Sequence, residues 1–158
     1  VGSEMCIRDS YRAVMASCAL PGFCRPVKVG DRYYYDGGVA DSIPLHHAIE
    51  HGCTKMVVIL SNPRDFVKKP EAHRPLYKHM LHKYPKTIQS IDNRHINYQA
   101  SIDLACRLEK EGYVFIFAPS RHMPLSTFSK DAALEQDLYD LGVADYEARA
   151  EELKHFLN

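Results

Sequence analysis

The chain has 158 residues, 46% of them apolar and 25% charged, a balance typical of one folded domain and unlike that of a disordered or fibrous protein. Twenty basic and twenty acidic side chains cancel, so no overall field attracts nucleic acid and no nucleic-acid partner is expected. The longest apolar runs, Met56–Leu60 and Tyr113–Ala118, are far shorter than the roughly 18 residues of a membrane-spanning helix.

The first ten residues are predicted to lie outside the native fold. The sequence begins with Val1, and residues 5–10 resemble the translation of a sequencing adapter. We therefore expect natural sequence to precede residue 11. The remaining chain is divided into an α/β part over residues 11–119 and a C-terminal helical extension over residues 120–158.

The first half of the chain predicts two helices, a hairpin and a buried strand. Breaker residues separate them: Pro21-Gly22, the turn pair Gly30-Asp31, and Gly52 at a helix end. Asp41 or Ser42 is expected to cap the second helix. The four predicted elements are a helix over Tyr11–Ala19, a hairpin of Arg25–Val29 and Arg32–Tyr35, a helix carrying Leu45, Ala48 and Ile49, and a strand over Lys55–Leu60 covered on both faces.

The second half predicts a further strand between helices. A helix is expected near Pro75–Lys83, and apolar residues at helical spacing from Ile88 to Leu108 predict a long helix ending near Gly112. Tyr113–Ala118 is a second continuous apolar strand. Two terminal helices separated by Gly142 are expected to form a hairpin. This order predicts an α/β fold with a mostly parallel sheet flanked by helices.

The stretch with the clearest chemical content is Tyr33-Tyr34-Tyr35-Asp36-Gly37-Gly38. An isolated Asp-Gly-Gly is most often only a turn. At the end of an aromatic strand, however, the glycines allow close backbone approach, and Asp36 would lie at a strand tip, where α/β active sites usually form. Asp41, the rival carboxylate, is interpreted as a residue at the start of a helix.

This stretch belongs to a longer pattern that resembles the second half of the patatin-like phospholipase family. The pattern is A-S-x-x-x-P-x-F over residues 16–23, then Pro26-Val27, then Y-x-D-G-G over residues 34–38, then Ile43-Pro44, a helix and a strand. The resemblance implies an incomplete patatin-like fold and a lipid acyl hydrolase with a Ser–Asp dyad. Asp36 matches the catalytic base, Gly37 and Gly38 match its turn, and no cofactor is implied.

The chain departs from the family pattern in one respect: it contains neither Gly-x-Ser-x-Gly nor a glycine-rich oxyanion loop. Both precede the matching residues in the family, so we expect a fragment that carries half of an active site and is inactive alone. Two alternatives remain open. One is a non-catalytic patatin-like relative that binds lipid or protein, and the other is a generic α/β domain in which Asp-Gly-Gly is only a turn.

Charge is unevenly distributed and suggests a membrane contact. Residues 64–86 contain seven lysines and arginines against two acidic residues, interleaved with aromatic and aliphatic side chains. This composition suits an anionic phospholipid surface, with Lys68, Lys69 and Lys78 as candidate contacts. His79 and His82 lack a third ligand, so no metal site is predicted. The odd, unpaired cysteines favour a cytoplasmic protein that touches membranes peripherally.

Overall fold

A computed structural model describes residues 11–124 and 131–158. The predicted start segment, residues 1–10, lies outside the described residues. Residues 11–17 form helix α1. The other described elements are β1 (Val27–Val29), β2 (Arg32–Tyr34), a 3₁₀ turn (Gly37–Val39), α2 (Leu45–Glu50), β3 (Met56–Ile59), α3 (Arg74–Met80), α4 (Pro85–Lys110), β4 (Val114–Phe117) and α5 (Ala132–Leu157).

The described residues form two compact units that are not continuous in sequence. One unit comprises the described residues up to Ile43 together with Lys68–Ala100, and the other comprises Pro44–Val67 with the described residues from Ser101 onward. Helix α4 therefore contributes its first part to one unit and its last part to the other.

The first unit contains the predicted hairpin. Strands β1 and β2 pair antiparallel, with Val27 opposite Tyr34 and Val29 opposite Arg32. Gly30 makes the turn with a φ of 56°, a value that costs glycine little. The backbone N–H of Asp36 donates to the carbonyl of Ala19 at 3.0 Å, which joins the end of the hairpin to the segment after α1.

The second unit contains the predicted parallel strands. Strands β3 and β4 pair parallel, from Met56 opposite Val114 to Ile59 opposite Phe117. Helix α5 packs on β4, where the ring of Phe156 lies 5.7 Å from that of Phe115. The second unit's core consists of buried side chains from α2, from β3 and the residue after it, from the last part of α4 and from β4: Leu45, Val58, Leu60, Ile102, Leu104, Ala105, Val114, Phe115 and Ile116.

Four predictions about the fold need correction. The sheet is not one mostly parallel layer, because the described strands form one parallel and one antiparallel pair. Strand β3 is not covered on both faces, since Ile59 is 79% exposed. The C-terminal hairpin is a single helix, and Gly142 lies within it. Neither Asp41 nor Ser42 caps α2, whose N-terminal cap position is held by Pro44.

Helices α1 and α3 end earlier than predicted, at residue 17 and Met80, whereas glycine marks the ends of α2 and α4 as expected. Helix α4 ends just before Gly112, which adopts a φ of 83°, and Gly52 follows α2 with a φ of 81°. Asp131 caps α5 because its carboxylate accepts from the backbone N–H groups of Ala133 and Leu134. No helix within the described residues is long and apolar enough to cross a membrane.

Candidate active site

Asp36 lies at the turn that directly follows the β1–β2 hairpin. It occupies the N-terminal cap of the 3₁₀ turn, and its Oδ1 accepts from the backbone N–H of Gly38 at 2.8 Å. A Cβ on Gly38 would approach that same oxygen to 3.2 Å, so a larger residue would crowd the carboxylate. Within the described residues the other oxygen, Oδ2, makes no hydrogen bond, and Asp36 is half-buried. One oxygen is thus anchored while the second can accept a proton.

The carbonyls of this turn are held by side chains that sequence reasoning missed. The Nε of Arg94 donates to the carbonyl of Gly38 at 3.0 Å, and the hydroxyl of Ser42 donates to the same oxygen at 2.7 Å. Asn97, one helical turn after Arg94 on α4, donates to the carbonyl of Ala40 at 3.4 Å. The spacing of Arg94 and Asn97 places both on one helix face. Because Arg94 and Asn97 are far from Asp36 in sequence, no local pattern indicated these contacts.

Arg94 is itself held by an acidic partner. Its guanidinium donates to Glu71 at 3.1 Å, and Lys68 pairs with the same carboxylate at 3.6 Å. Lys68 also lies 6.0 Å from the ring centroid of Tyr98. The candidate membrane residue Lys68 is therefore engaged within the first unit, whereas Lys69 and Lys78 are exposed.

Asp41 is exposed, and its carboxylate accepts from the backbone N–H of Ile43 at 3.2 Å. This short-range bond closes a small turn in the segment before α2. Asp41 therefore has a local structural role, as the sequence suggested, although it does not cap the helix. Asp36 is the better candidate for a general base of the two.

An apolar cavity of about 430 Å³ lies in the same unit as Asp36. Val39, the last residue of the 3₁₀ turn, forms part of its wall, and so does Arg94. A mostly apolar cavity with a few polar groups is the usual form of a small-molecule site. The cavity is lined by Leu20, Pro21, Gly22, Phe23, Val39, Glu71, Ala72, His73, Leu76, Tyr77, Met80, Ile91 and Arg94.

A second cavity, of about 620 Å³, lies in the other unit at the carboxyl ends of β3 and β4. Arg64 and Arg149 line it, and both donate to the carbonyl of Ile116, at 3.0 and 2.6 Å. Both guanidinium groups already have acidic partners, Glu109 for Arg64 and Glu152 for Arg149. The hydrogen bond from Arg64 holds the pKa of Glu109 below its usual range. These groups therefore link the loops and helices around the strands.

No group of three or more metal-ligating side chains occurs among residues 11–124 and 131–158. His79 and His82 lie with ring centroids 6.4 Å apart, and His47 and His51 at 4.1 Å, without a carboxylate or thiolate completing either pair. Cys18, Cys24 and Cys53 are exposed thiols.

Comparisons with known proteins match two separate parts of the chain. Residues 8–49 match the family model described as "Patatin-like phospholipase", and residues 84–158 match a "Domain of unknown function (DUF6363)". The "Uncharacterized protein YjjU" of Escherichia coli (strain K12) is 37% identical over 59 residues, which cover 37% of this chain and 16% of that protein. The matched region thus spans less than a fifth of that relative. No solved structure matches the chain.

The segment matched to the patatin-like phospholipases contains the hairpin, Asp36 and its turn. Residues 50–83, which include α3 and the candidate lysines, lie outside both family matches. The match over residues 8–49 supports the resemblance to the patatin family.

Proposed function

We propose that this chain contributes the base of a Ser–Asp dyad to a carboxylic ester hydrolase that acts on lipids. Asp36 is the base, and Gly37 and Gly38 form the turn that presents it. The serine and the oxyanion donors would come from sequence outside these residues, because the chain contains no Gly-x-Ser-x-Gly. The observation that carries the proposal is the carboxylate of Asp36, anchored through Oδ1 with Oδ2 unoccupied by any described group.

The proposed reaction follows from that geometry. Oδ2 of Asp36 accepts the proton of the serine hydroxyl as the serine oxygen attacks the ester carbonyl carbon. The carbon–oxygen bond to the alcohol then breaks, and Asp36 returns the proton to the departing oxygen. Water attacks the acyl-enzyme by the same route, which releases the fatty acid and regenerates serine. No metal or organic cofactor takes part in these steps.

The support of the Asp36 turn from α4 fits this role. A base without a third residue to orient it needs a rigid backbone, and the bonds from Arg94 and Ser42 to the Gly38 carbonyl provide restraint. The apolar cavity that shares Val39 with this turn suits a lipid substrate better than a charged one.

Contact with a membrane is a second part of the proposal. Lys69 and Lys78 are exposed, and exposed apolar side chains of α3, Leu76 and Met80, accompany them. Cationic and apolar groups together favour attachment to an anionic phospholipid surface. Such contact would be peripheral and compatible with a cytoplasmic protein.

The experiment that tests the proposed activity compares Asp36→Asn with Asp41→Asn in the complete gene product that contains this chain. We expect Asp36→Asn to lower the turnover of a p-nitrophenyl ester by at least about a thousandfold, since the amide cannot accept the proton. Asp41→Asn should leave turnover close to that of the unaltered protein. Circular dichroism verifies that both variants are folded.

Two outcomes would contradict the proposal. Near-normal turnover in Asp36→Asn would refute the assignment of a Ser–Asp dyad. Absence of any serine that reacts with a fluorophosphonate would favour a non-catalytic lipid-binding relative. If neither activity nor labelling is found and the chain binds no lipid, Asp-Gly-Gly is only a turn.

A further inference from the structure

The apolar cavity of the first unit begins at the turn that presents Asp36. Leu20 lines it and directly follows Ala19, whose carbonyl accepts the backbone N–H of Asp36. Val39 and Arg94 also line the cavity. Val39 is the last residue of the 3₁₀ turn, and Arg94 donates to the Gly38 carbonyl. Part of the cavity wall thus contacts or belongs to the backbone of the Asp36 turn, although Asp36 itself is not among the lining residues.

The opposite part of the wall is apolar and reaches the protein surface. Phe23 is 75% exposed, Leu76 60% and Met80 49%, and all three line the cavity. The Cε of Met80 lies 3.7 Å from the position that a Cβ of Gly22 would occupy, so this side chain lies against the Pro21–Gly22 turn. Exposed apolar side chains gain free energy when another apolar group covers them, because their surface is then removed from water.

Three polar side chains of the wall, those of Glu71, Tyr77 and Arg94, already have partners. Glu71 and Arg94 share an ion pair, and the hydroxyl of Tyr77 donates to Asp92 at 2.6 Å. A charged ligand would have to compete with these contacts, whereas an apolar group would leave them intact. A cavity of about 430 Å³ is in the lower part of the roughly 300–1,000 Å³ range of small-molecule sites. It therefore suits one slender apolar group.

We infer that this cavity holds a single fatty acyl chain of the ester substrate, with the carbonyl end at the Asp36 turn, and that Leu76 and Met80 set the preferred chain length. The inference rests on the proposed function. Helix α3, which supplies both side chains, lies between the two family matches, so neither match assigns it a role. Chain-length selection would thus be specific to the 50–83 segment of this protein.

The test uses the complete gene product and the variants Leu76→Asn and Met80→Gln, which replace apolar side chains by polar ones of similar size. His79→Gln is the matched control, because His79 lies on the same helix but does not line the cavity. Binding of the fluorescent fatty acid cis-parinaric acid is measured in the Asp36→Asn background. Turnover is measured separately, in proteins that keep Asp36, with p-nitrophenyl esters whose acyl chains have four to twelve carbons.

In the parent protein, each methylene that enters the cavity should raise kcat/KM about three- to fourfold, corresponding to about 0.8 kcal/mol. The double variant L76N/M80Q should bind the fatty acid about tenfold more weakly and lose the preference for longer esters. Its kcat/KM for the twelve-carbon ester should fall at least about tenfold more than that for the four-carbon ester, a change of ratio that a merely unfolded variant would not give. His79→Gln should change neither measurement.

An unaltered chain-length profile in L76N/M80Q, together with unaltered fatty-acid affinity, would overturn the inference while leaving the hydrolase proposal intact. An equal loss of affinity in His79→Gln would also overturn it, because the effect would then not depend on the cavity. If Asp36→Asn keeps full turnover, the proposed function fails instead, and the acyl assignment fails with it.

Discussion

At the scale of single residues, Arg94 connects α4 to the turn that follows Asp36. Its guanidinium bridges the Gly38 carbonyl and Glu71, and about a third of its side chain is exposed. Charge-assisted hydrogen bonds of this kind contribute about 1.5–3 kcal/mol when shielded and less when solvated. Arg94 is therefore a positioning residue for the turn.

Replacing Arg94 by alanine should lower kcat for ester hydrolysis about tenfold or more, because the Asp36 turn loses its main restraint from α4. A loss of about 1.4 kcal/mol corresponds to that factor. Steady-state kinetics should show a change in kcat larger than that in KM. Asn97→Ala is the control, since its bond to Ala40 is long at 3.4 Å and its loss should be small. Equal effects of both variants would contradict this role.

Asp92 provides a pH-dependent contribution to stability. Arg74 donates to it through two nitrogens, at 2.8 and 2.7 Å, and Tyr77 donates through its hydroxyl. The hydrogen bonds from Arg74, followed by that from Tyr77, lower the pKa of Asp92 from 3.8 to about 2. Because the folded pKa is depressed, this stabilisation is present above the unfolded value and is lost as pH falls through the folded one.

Asp92→Asn should therefore flatten the pH dependence of unfolding between about pH 4 and pH 2. Urea unfolding at several pH values in this window measures the effect. The parent protein should lose stability more steeply than the variant as the solution is acidified. Parallel curves for the two proteins would show that this ion pair contributes nothing to folding.

At the scale of elements, Gly142 was wrongly predicted to separate two helices, because it lies within the single helix α5. Gly142 lies near the middle of a 26-residue helix whose first turn is capped by Asp131 and whose side chains reach β4. Tyr146 and Phe117 have ring centroids 5.9 Å apart, and Arg149 lies 4.4 Å from the ring centroid of Phe115. The Asp131 cap before Gly142 and the contacts with β4 after it thus stabilise the continuous helix and outweigh the weak helix propensity of glycine.

Gly142→Ala should stabilise the protein by about 0.8–1 kcal/mol, since alanine loses less backbone entropy in a helix. A Cβ at this position would meet no atom within 4 Å, so the substitution introduces no clash. Thermal or urea unfolding measures the gain. Destabilisation would indicate a break at Gly142, as the sequence first suggested, instead of a continuous helix.

At the scale of the whole molecule, the net charge is zero, but residues 64–86 form a basic segment. Not all of its cations are available, because Arg64, Lys68 and Arg74 have acidic partners within their own units. The other four, Lys69, Lys78, Lys83 and Lys86, are exposed, and Lys69 and Lys78 are the proposed membrane contacts among them. Membrane attraction should accordingly depend on fewer charges than the count of basic residues indicates.

The double variant K69E/K78E should weaken binding to vesicles that contain phosphatidylserine, by roughly tenfold or more at physiological salt, at about 1 kcal/mol per cation. Co-sedimentation with anionic and neutral vesicles measures the effect. Lys83 is a basic residue just after α3, and the variant Lys83→Glu tests whether the position of the charge matters. Unchanged binding in K69E/K78E would remove the membrane proposal.

Local signals in the sequence were sufficient for the hairpin, the C-terminal ends of α2 and α4, and both apolar strands. Gly30, Gly52 and Gly112 adopt positive φ values at the turns and helix ends where they were expected. Asp36 could be singled out because a motif of adjacent residues carries it. The Arg94 contact could not be found, because it joins residues 56 positions apart.

The order of residues by itself determined where the chain turns and which carboxylate follows the aromatic strand, since these depend on backbone preferences of neighbouring residues. Only the tertiary structure decided that α5 is continuous, that Lys68 is paired, and that α3 and the Asp36 turn share one cavity. The physical reason is that packing and ion pairing between distant segments compete with local propensity and, at these places, are stronger.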